Sequence, residues 1–264
     1  MFNHLIIVCC HAIYLGGPTH GADESEWLIE SFQKAETPTF IAHAKAGLRE
    51  LAQDPHGLLV LSGGPTKESQ MKLSEGQSYL NLVRENDYFA DELDITAEIK
   101  SRTITETLAT DSYQNVLFSM IRFHSHTGAW PSRVTVVTHE FKRARFMELH
   151  FPALGLLPHS DHKKSRTHPG VSVIGINPPE EVTPPEVLVR SESAKGFGLW
   201  KQDLYGVGSE LAQKRLARGW SPTKIEDVCA NADLSSSVKE LLSWNGGKGN
   251  EWFQKMAELP WYKG

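Results

Sequence analysis

The residues from Val134 to Val137 are all β-branched, and this run constrains the fold more than any other feature of the sequence. Such a run is typical of a strand that is buried within a parallel sheet. A polar turn, Thr138-His139-Glu140, follows it, and apolar residues at near-helical spacing continue to Pro152, where we expect the helix to stop. A strand, a turn and a helix in this order make half of a βαβ unit, so the stretch predicts an α/β fold.

Four further runs suit the other strands of such a sheet: Leu5–Cys10, Leu58–Leu61, Ser101–Thr105 and Val171–Ile176. Together the five runs predict a Rossmann-like, three-layer α/β sandwich with a mostly parallel sheet of about five strands. We assign residues 1–180 to this domain. Residues 181–264 are polar with helical patterning, and we expect a helical C-terminal extension that packs on the sheet within a single structural domain.

A long helix is predicted between the first two strands. It covers most of Glu24–Leu51, with a break at Thr37-Pro38 because proline lacks the backbone N–H of a helix interior. Its buried side is expected to contain Trp27, Leu28, Phe32, Phe40, Ile41, Ala44 and Leu48.

Composition excludes several classes of protein. The chain has 264 residues, 40% of them hydrophobic and 22% charged, as is ordinary for a soluble globular protein. A net charge of -5 argues against nucleic acid as the main partner. The three cysteines, Cys9, Cys10 and Cys229, form neither a disulfide framework nor a zinc pattern, so we expect a reducing, cytoplasmic setting.

Neither a membrane segment nor a metal motif is predicted. The run Leu5–Cys10 is too short to span a bilayer, and no Lys or Arg precedes it as in a signal peptide. The twelve histidines show no HxxxH or HExxH spacing, so we predict no metal ligands. The sequence carries no feature that indicates an oligomeric state.

The turns after the predicted strands supply the candidate site residues, because ligands of open α/β sheets bind at the carboxyl ends of the strands. The candidates for catalysis are His11, Glu75, Glu106 and His139, which can carry a proton. The candidates for ligand binding are Ser62, Gly63, Gly64, Thr66, Asp111, Ser112, Asn115, Thr138, Lys142 and Arg145.

Two features of these turns favour an anionic ligand. Glycines at Gly63 and Gly64 let backbone N–H groups approach a ligand closely. Lys142 and Arg145 share one face of the first turn of a helix starting near Phe141, where free N–H groups and the helix dipole also favour an anion.

Each of these features has a structural alternative. The glycines suit any tight turn, Lys142 and Arg145 suit a solvated basic surface, and His11 suits the end of a strand. Asp111 or Thr110 also suits the N-cap of the next helix. Arg145 also suits an ion pair with a carboxylate such as Glu106 or Glu148.

Four sequence blocks, in a fixed order, carry a resemblance to a known family. They are HAIYLGG after the first strand, SGGPT with the following Ser74-Glu75, ETLATDSYQNVLFS, and VVTHEFKRARF. In this order they resemble the YdcF/SanA-like family of domains of unknown function, especially its eukaryotic, fungal-type branch. The resemblance covers about Leu5–Ile176, with a weaker match at Trp200–Gly206.

The resemblance implies a Rossmann-like sheet whose four turns form one pocket. The family is linked to S-adenosylmethionine binding and to bacterial envelope-lipid metabolism, which implies S-adenosylmethionine as a candidate cofactor. Asp111-Ser112 stands where the family has Asn-Thr, and Gln114 where it has Glu. Lys142 stands where bacterial members commonly have His, whereas Arg145 matches, so a mechanism that needs that His is not expected here.

Two functions follow from these observations. The first is an enzyme that acts on a small anionic or nucleotide-like ligand. The second is a non-catalytic ligand-binding or regulatory protein that uses the same pocket. The sequence contains no GxSxG motif and no Asp-x-Asp cluster that would indicate an acyl-transfer nucleophile or metal-dependent phosphoester hydrolysis.

Overall fold

A sheet of parallel strands lies at the centre of the computed structural model, which describes residues 1–158, 169–230 and 232–262. The described strands are β1 (His4–Cys9), β2 (Ile13–Tyr14), β3 (Trp27–Leu28), β4 (Gly57–Ser62), β5 (Thr103–Glu106), β6 (Arg133–Thr138) and β7 (Gly170–Gly175). The α-helices are α1 (Thr37–Gln53), α2 (Glu75–Glu85), α3 (Ala97–Ser101), α4 (Ser112–Thr127), α5 (Phe151–Ala153), α6 (Pro185–Lys195), α7 (Phe197–Gln202), α8 (Ser209–Ala217), α9 (Lys224–Cys229) and α10 (Ser236–Leu242).

The central sheet has the spatial order β5-β4-β1-β6-β7, and every neighbouring pair is parallel. The predicted α/β fold with five parallel strands is therefore confirmed. The chain builds outward from β1 to β5 and then returns to the other side of β1 to form β6. This reversal of strand order makes the β1/β6 boundary the topological switch point, where ligands bind in sheets of this type.

Helices cover both faces of the sheet, which explains why β1 is apolar from Leu5 to Cys9. Ile6 and Val8 face a core formed with α1 and α2, whereas Leu5 and Ile7 face a core formed with α4 and the C-terminal helices. All four side chains are fully buried. A strand that is buried on both faces has a continuous hydrophobic sequence, as β1 has from Leu5 to Cys9.

The helix predicted over Glu24–Leu51 is wrong in its first half. Residues 24–36 contain two 3₁₀ turns and the strand β3, which pairs antiparallel with β2. Trp27 is buried there as expected, but Phe32 is 76% exposed. Pro38 lies in the first turn of α1, where its missing N–H has no intrahelical acceptor, so it marks the start of the helix rather than a break.

The helix predicted after β6 is irregular. A 3₁₀ turn, Glu140–Lys142, leads into a π-helical turn, Arg145–His150, and then into α5. The predicted stop, Pro152, lies in the first turn of α5. The helix ends at Ala153, one residue after this proline.

Helices α7 to α10 pack on the α4 face of the sheet. Trp200, Leu204, Leu211 and Val238 belong to the same hydrophobic core as β1 and α4. The indole N–H of Trp261 also donates to the carbonyl of Leu154, at 2.7 Å. Within the described residues, every helix is too short or too polar to cross a lipid bilayer.

An ion pair also ties this extension to α4. Asp111 caps α4 by accepting a hydrogen bond from the Gln114 amide, and its other oxygen lies 2.5 Å from Nε of Arg215 on α8. Both side chains are about nine-tenths buried. Removing one member of such a pair leaves the other charge buried without a partner.

We therefore predict that Asp111→Asn lowers the free energy of unfolding by about 2 kcal/mol, because asparagine keeps the cap but not the charge. Asp111→Ala, which also removes the cap, should cost about 1 kcal/mol more. Urea melts of both variants and the parent measure the two effects. Equal stability of Asp111→Asn and the parent would show that the ion pair contributes nothing.

Candidate functional site

Two neighbouring turns meet at the switch point. His11 follows β1, and Thr138, His139 and Lys142 end or follow β6. Nδ1 of His11 lies 3.4 Å from Nζ of Lys142, and its Nε2 lies 3.4 Å from Oγ1 of Thr138. The rings of His11 and His139 are 4.4 Å apart between centroids. The structure thus brings these four predicted site residues together.

A third histidine, which the sequence patterns did not single out, joins this group. His43 lies on α1, and its ring centroid is 5.4 Å from that of His11 and 4.8 Å from that of His139. One ligand atom from each of the three residues lies within 4.8 Å of the other two. We name this group the histidine cluster. No spacing rule could reveal it, because its members come from three separate elements.

Burial keeps the histidine cluster uncharged. It is the largest cause that lowers the pKa of each ring, and the charge of Lys142 adds to it. The pKa of His43 falls to about 4, and those of His11 and His139 fall well below their ordinary value. The three imidazoles are therefore neutral near pH 7.

Lys142 is the cation at this edge of the sheet. It is half-buried, and burial and the nearby Arg145 lower its pKa to about 8. Among the described residues, no carboxylate oxygen lies within 4 Å of its ammonium, and its hydrogen-bond partner is His11. The first-turn amides beside it are engaged, because Phe141 N–H donates to Asn177 and Lys142 N–H to the His139 carbonyl.

Arg145 forms the ion pair that the sequence analysis gave as the alternative, but its partner is neither Glu106 nor Glu148. Its Nε lies 2.7 Å from Oε1 of Glu192 on α6, and a second contact joins Nη2 to Oε2. Its Nη1 donates to Oγ of Ser112, at 3.2 Å. Arg145 and Ser112 therefore lie in a network beneath the extension, and Arg145 does not present a free charge.

The extension also covers the turn between β5 and α4. Besides the pair between Asp111 and Arg215, Nη1 of Arg218 donates to the carbonyl of Thr110, at 2.8 Å. The sequence analysis did not identify Glu192, Arg215 and Arg218. No local sequence pattern relates these residues to the turns that they contact, because the turns precede them by many positions.

Glu106 anchors its own turn. Its carboxylate accepts hydrogen bonds from Oγ of Ser62 at 2.6 Å and from the amides of Leu108 and Ala109 at 2.6 and 2.9 Å. Asn115 completes this group by donating to the carbonyl of Ser62, at 3.1 Å. The residues predicted around β4 and β5 are thus brought together, and the bonds of Glu106 explain why an acid ends β5.

The two glycines after β4 do not offer free amides, which corrects their expected role. Gly63 N–H donates to the carbonyl of Glu106, and Gly64 N–H donates to that of Ala109. A Cβ at Gly63 would lie 2.8 Å from the Cβ of Glu75, and one at Gly64 would lie 2.9 Å from the Ala109 oxygen. Close packing therefore explains both glycines.

Glu75 is the candidate site residue whose pKa lies near neutral pH. It is the first residue of α2 and 8% exposed, and its Oε1 accepts a hydrogen bond from Oγ1 of Thr66. Burial raises the pKa of this carboxyl to about 7, although the bond from Thr66 opposes the shift. A carboxyl with such a pKa can both release and accept a proton under physiological conditions.

Comparison with known proteins assigns no activity to this site. No protein-family model matches the sequence, and no solved structure matches it. The uncharacterized protein YOR238W of Saccharomyces cerevisiae is 25% identical over an alignment of 261 positions, and the alignment covers 81% of this chain and 82% of that protein. The resemblance to the YdcF/SanA-like family therefore stays a prediction.

The raised pKa of Glu75 predicts how Glu75→Gln changes stability with pH. Below about pH 4.5 the carboxyl is protonated in both the folded and the unfolded chain, so its burial carries no charge penalty. As the pH rises to 7, the unfolded chain releases this proton first, and the parent loses up to about 3 kcal/mol of stability. Glutamine removes this loss.

The stability of Glu75→Gln relative to the parent should therefore rise between pH 5 and pH 8. Urea melts at the two pH values measure the change. Glu148→Gln, which removes one carboxylate from an exposed side chain, is the matched control against which the rise is measured. A constant difference between Glu75→Gln and the parent would contradict the raised pKa.

Proposed function

We propose that the protein is an enzyme that acts on a small anionic or nucleotide-like ligand held at the carboxyl ends of the parallel strands. The observation that carries this proposal is the position of Lys142 at the β1/β6 switch point, beside His11. A half-buried ammonium whose surroundings offer no carboxylate within 4 Å, among the described residues, favours an anionic group of a ligand as its partner.

Glu75 is the residue that we propose for proton transfer. General acid–base catalysis is most efficient when the pKa of the group lies near the working pH, and the pKa of Glu75 is about 7. His11 and His139 lie at the same edge of the sheet, whereas Glu106 is better explained as the anchor of its turn. We propose no narrower class of reaction.

The alternative is a non-catalytic protein that binds a ligand, such as S-adenosylmethionine or a nucleotide, in the same place. The burial of Cys9 and Cys10 favours it, because burial raises the pKa of both thiols and so disfavours the nucleophilic thiolate. The bonded amides of Gly63 and Gly64 favour it too, because they provide no oxyanion hole.

The setting that we propose is the cytoplasm. Cys9, Cys10 and Cys229 are free thiols, as is usual in a reducing compartment. The net charge of -5 supports a small-molecule ligand rather than nucleic acid.

Lys142→Ala should weaken ligand binding without unfolding the protein. A thermal-shift screen with ATP, UDP-glucose, glucose 6-phosphate and S-adenosylmethionine first identifies a probe, because a bound ligand stabilises the native state by mass action. Loss of the charged contact should then raise the dissociation constant of that probe by about 10-fold or more. Lys100→Ala is the matched control, since Lys100 lies before β5, at the opposite edge of the sheet.

Equal affinity of Lys142→Ala and the parent would place the anion site elsewhere. A probe that binds and is converted to product supports the enzyme. A probe that binds through Lys142 and is recovered unchanged supports the non-catalytic alternative.

A further inference from the structure

Two members of the histidine cluster, His43 and His139, have ring nitrogens without protein partners among the described residues, whereas both nitrogens of His11 have long contacts of 3.4 Å. His43 is fully buried and His139 is 3% exposed. Nδ1 of His43 and both ring nitrogens of His139 have no hydrogen-bond partner. Buried polar atoms are nearly always paired, and leaving one unpaired costs about 1–3 kcal/mol. Three unpaired nitrogens at one place therefore require an explanation.

The hydrogen bond of His43 fixes which of its nitrogens carries a lone pair. Its Nε2 lies 2.9 Å from the carbonyl oxygen of Ile176, and because a carbonyl only accepts, Nε2 must carry the proton. In the neutral ring, Nδ1 is therefore unprotonated and carries a lone pair. Metal-binding histidines use this arrangement, in which one nitrogen donates to a carbonyl or carboxylate and the other binds the ion.

We propose that His11, His43 and His139 form a binding site for one divalent transition-metal ion of the Zn²⁺ class. Imidazole nitrogens are preferred ligands of Zn²⁺, and three of them form the protein part of many zinc sites. Tetrahedral coordination with Zn–N bonds of about 2.1 Å places the nitrogens about 3.4 Å apart, so each pair must approach by about 1.4 Å or less. Side-chain adjustments of this size are common on binding.

Glu36 lies where a carboxylate supports such a site. Its Oε2 is 3.9 Å from Nε2 of His139, and its Oε1 accepts a hydrogen bond from Oγ1 of Thr183, at 3.1 Å. Glu36 is 7% exposed, so this carboxylate lies within the protein. A short rotation of His139 would let Nε2–H donate to Glu36 and direct Nδ1 to the ion.

Three protein ligands leave one position of a tetrahedral ion open. Binding of the ion by Nδ1 of His11 would replace the 3.4 Å contact of this nitrogen with the Lys142 ammonium, so the ammonium would be free to contact an anionic ligand of the ion. This last step rests on the proposed function, whereas metal binding by the three histidines does not.

The test is a titration of the tag-free protein with Co²⁺, without any other ligand, followed through the visible absorption bands of tetrahedral Co²⁺. The parent should bind one equivalent, and Zn²⁺ should displace it. His11→Ala removes the least buried ligand and should raise the dissociation constant for Co²⁺ by about 100-fold or more. Glu36→Gln should raise it by roughly 10-fold.

His56→Ala is the matched control, because His56 is exposed and precedes β4 at the opposite edge of the sheet. Its affinity for Co²⁺ should equal that of the parent. Circular dichroism confirms that each variant is folded, and His139→Gln replaces any variant that is not.

Failure of the parent to bind Co²⁺ at millimolar concentration, or equal affinities of the parent, His11→Ala and His139→Gln, would overturn the proposal. Neither result bears on anion binding by Lys142, which is measured without metal.

Discussion

The parallel pairing of β1 with both β4 and β6 is the constraint on which the rest of the structure depends. Because β1 is paired on both sides, the chain must reverse its direction of growth at this strand, and the connections after β1 and β6 leave toward opposite faces of the sheet. The carboxyl ends of the two strands therefore lie side by side where these connections diverge, and α1 packs His43 against them. His11, His139 and Lys142 occupy this place.

The C-terminal extension decides which charges remain available there. Glu192 pairs with Arg145, and Arg215 pairs with Asp111, each through side chains that are nearly buried. Buried ion pairs of this kind contribute little net stability, but they penalise any docking of the helices that separates the charges. Arg145 and Asp111 are thus paired with residues of the C-terminal extension. Lys142 remains as the cation beside the histidines.

The sequence predicts the sheet well because β1 and β4 contain continuous apolar runs and β6 contains a β-branched run, as is typical of buried parallel strands. It fails at residues 24–36, where Trp27 is buried in a small hairpin rather than in a helix, since tertiary packing decides the structure of so short a segment. The cap of α4 was narrowed to Asp111 or Thr110 because capping is local, and the structure has Asp111. The partners of Arg145 and the meeting of His43 with His11 were not recognisable, because both depend on contacts between distant parts of the chain.

The central claim is that the polar edge at the β1/β6 switch point binds the ligand. Its most direct test is an NMR titration of ¹⁵N-labelled protein with the nucleotide or phosphosugar that stabilises the fold most. The account predicts that the amide shifts change mainly at residues 10–12 and 138–143. Changes concentrated at residues 54–57 and 131–133, which lie at the opposite edge of the sheet, would contradict it.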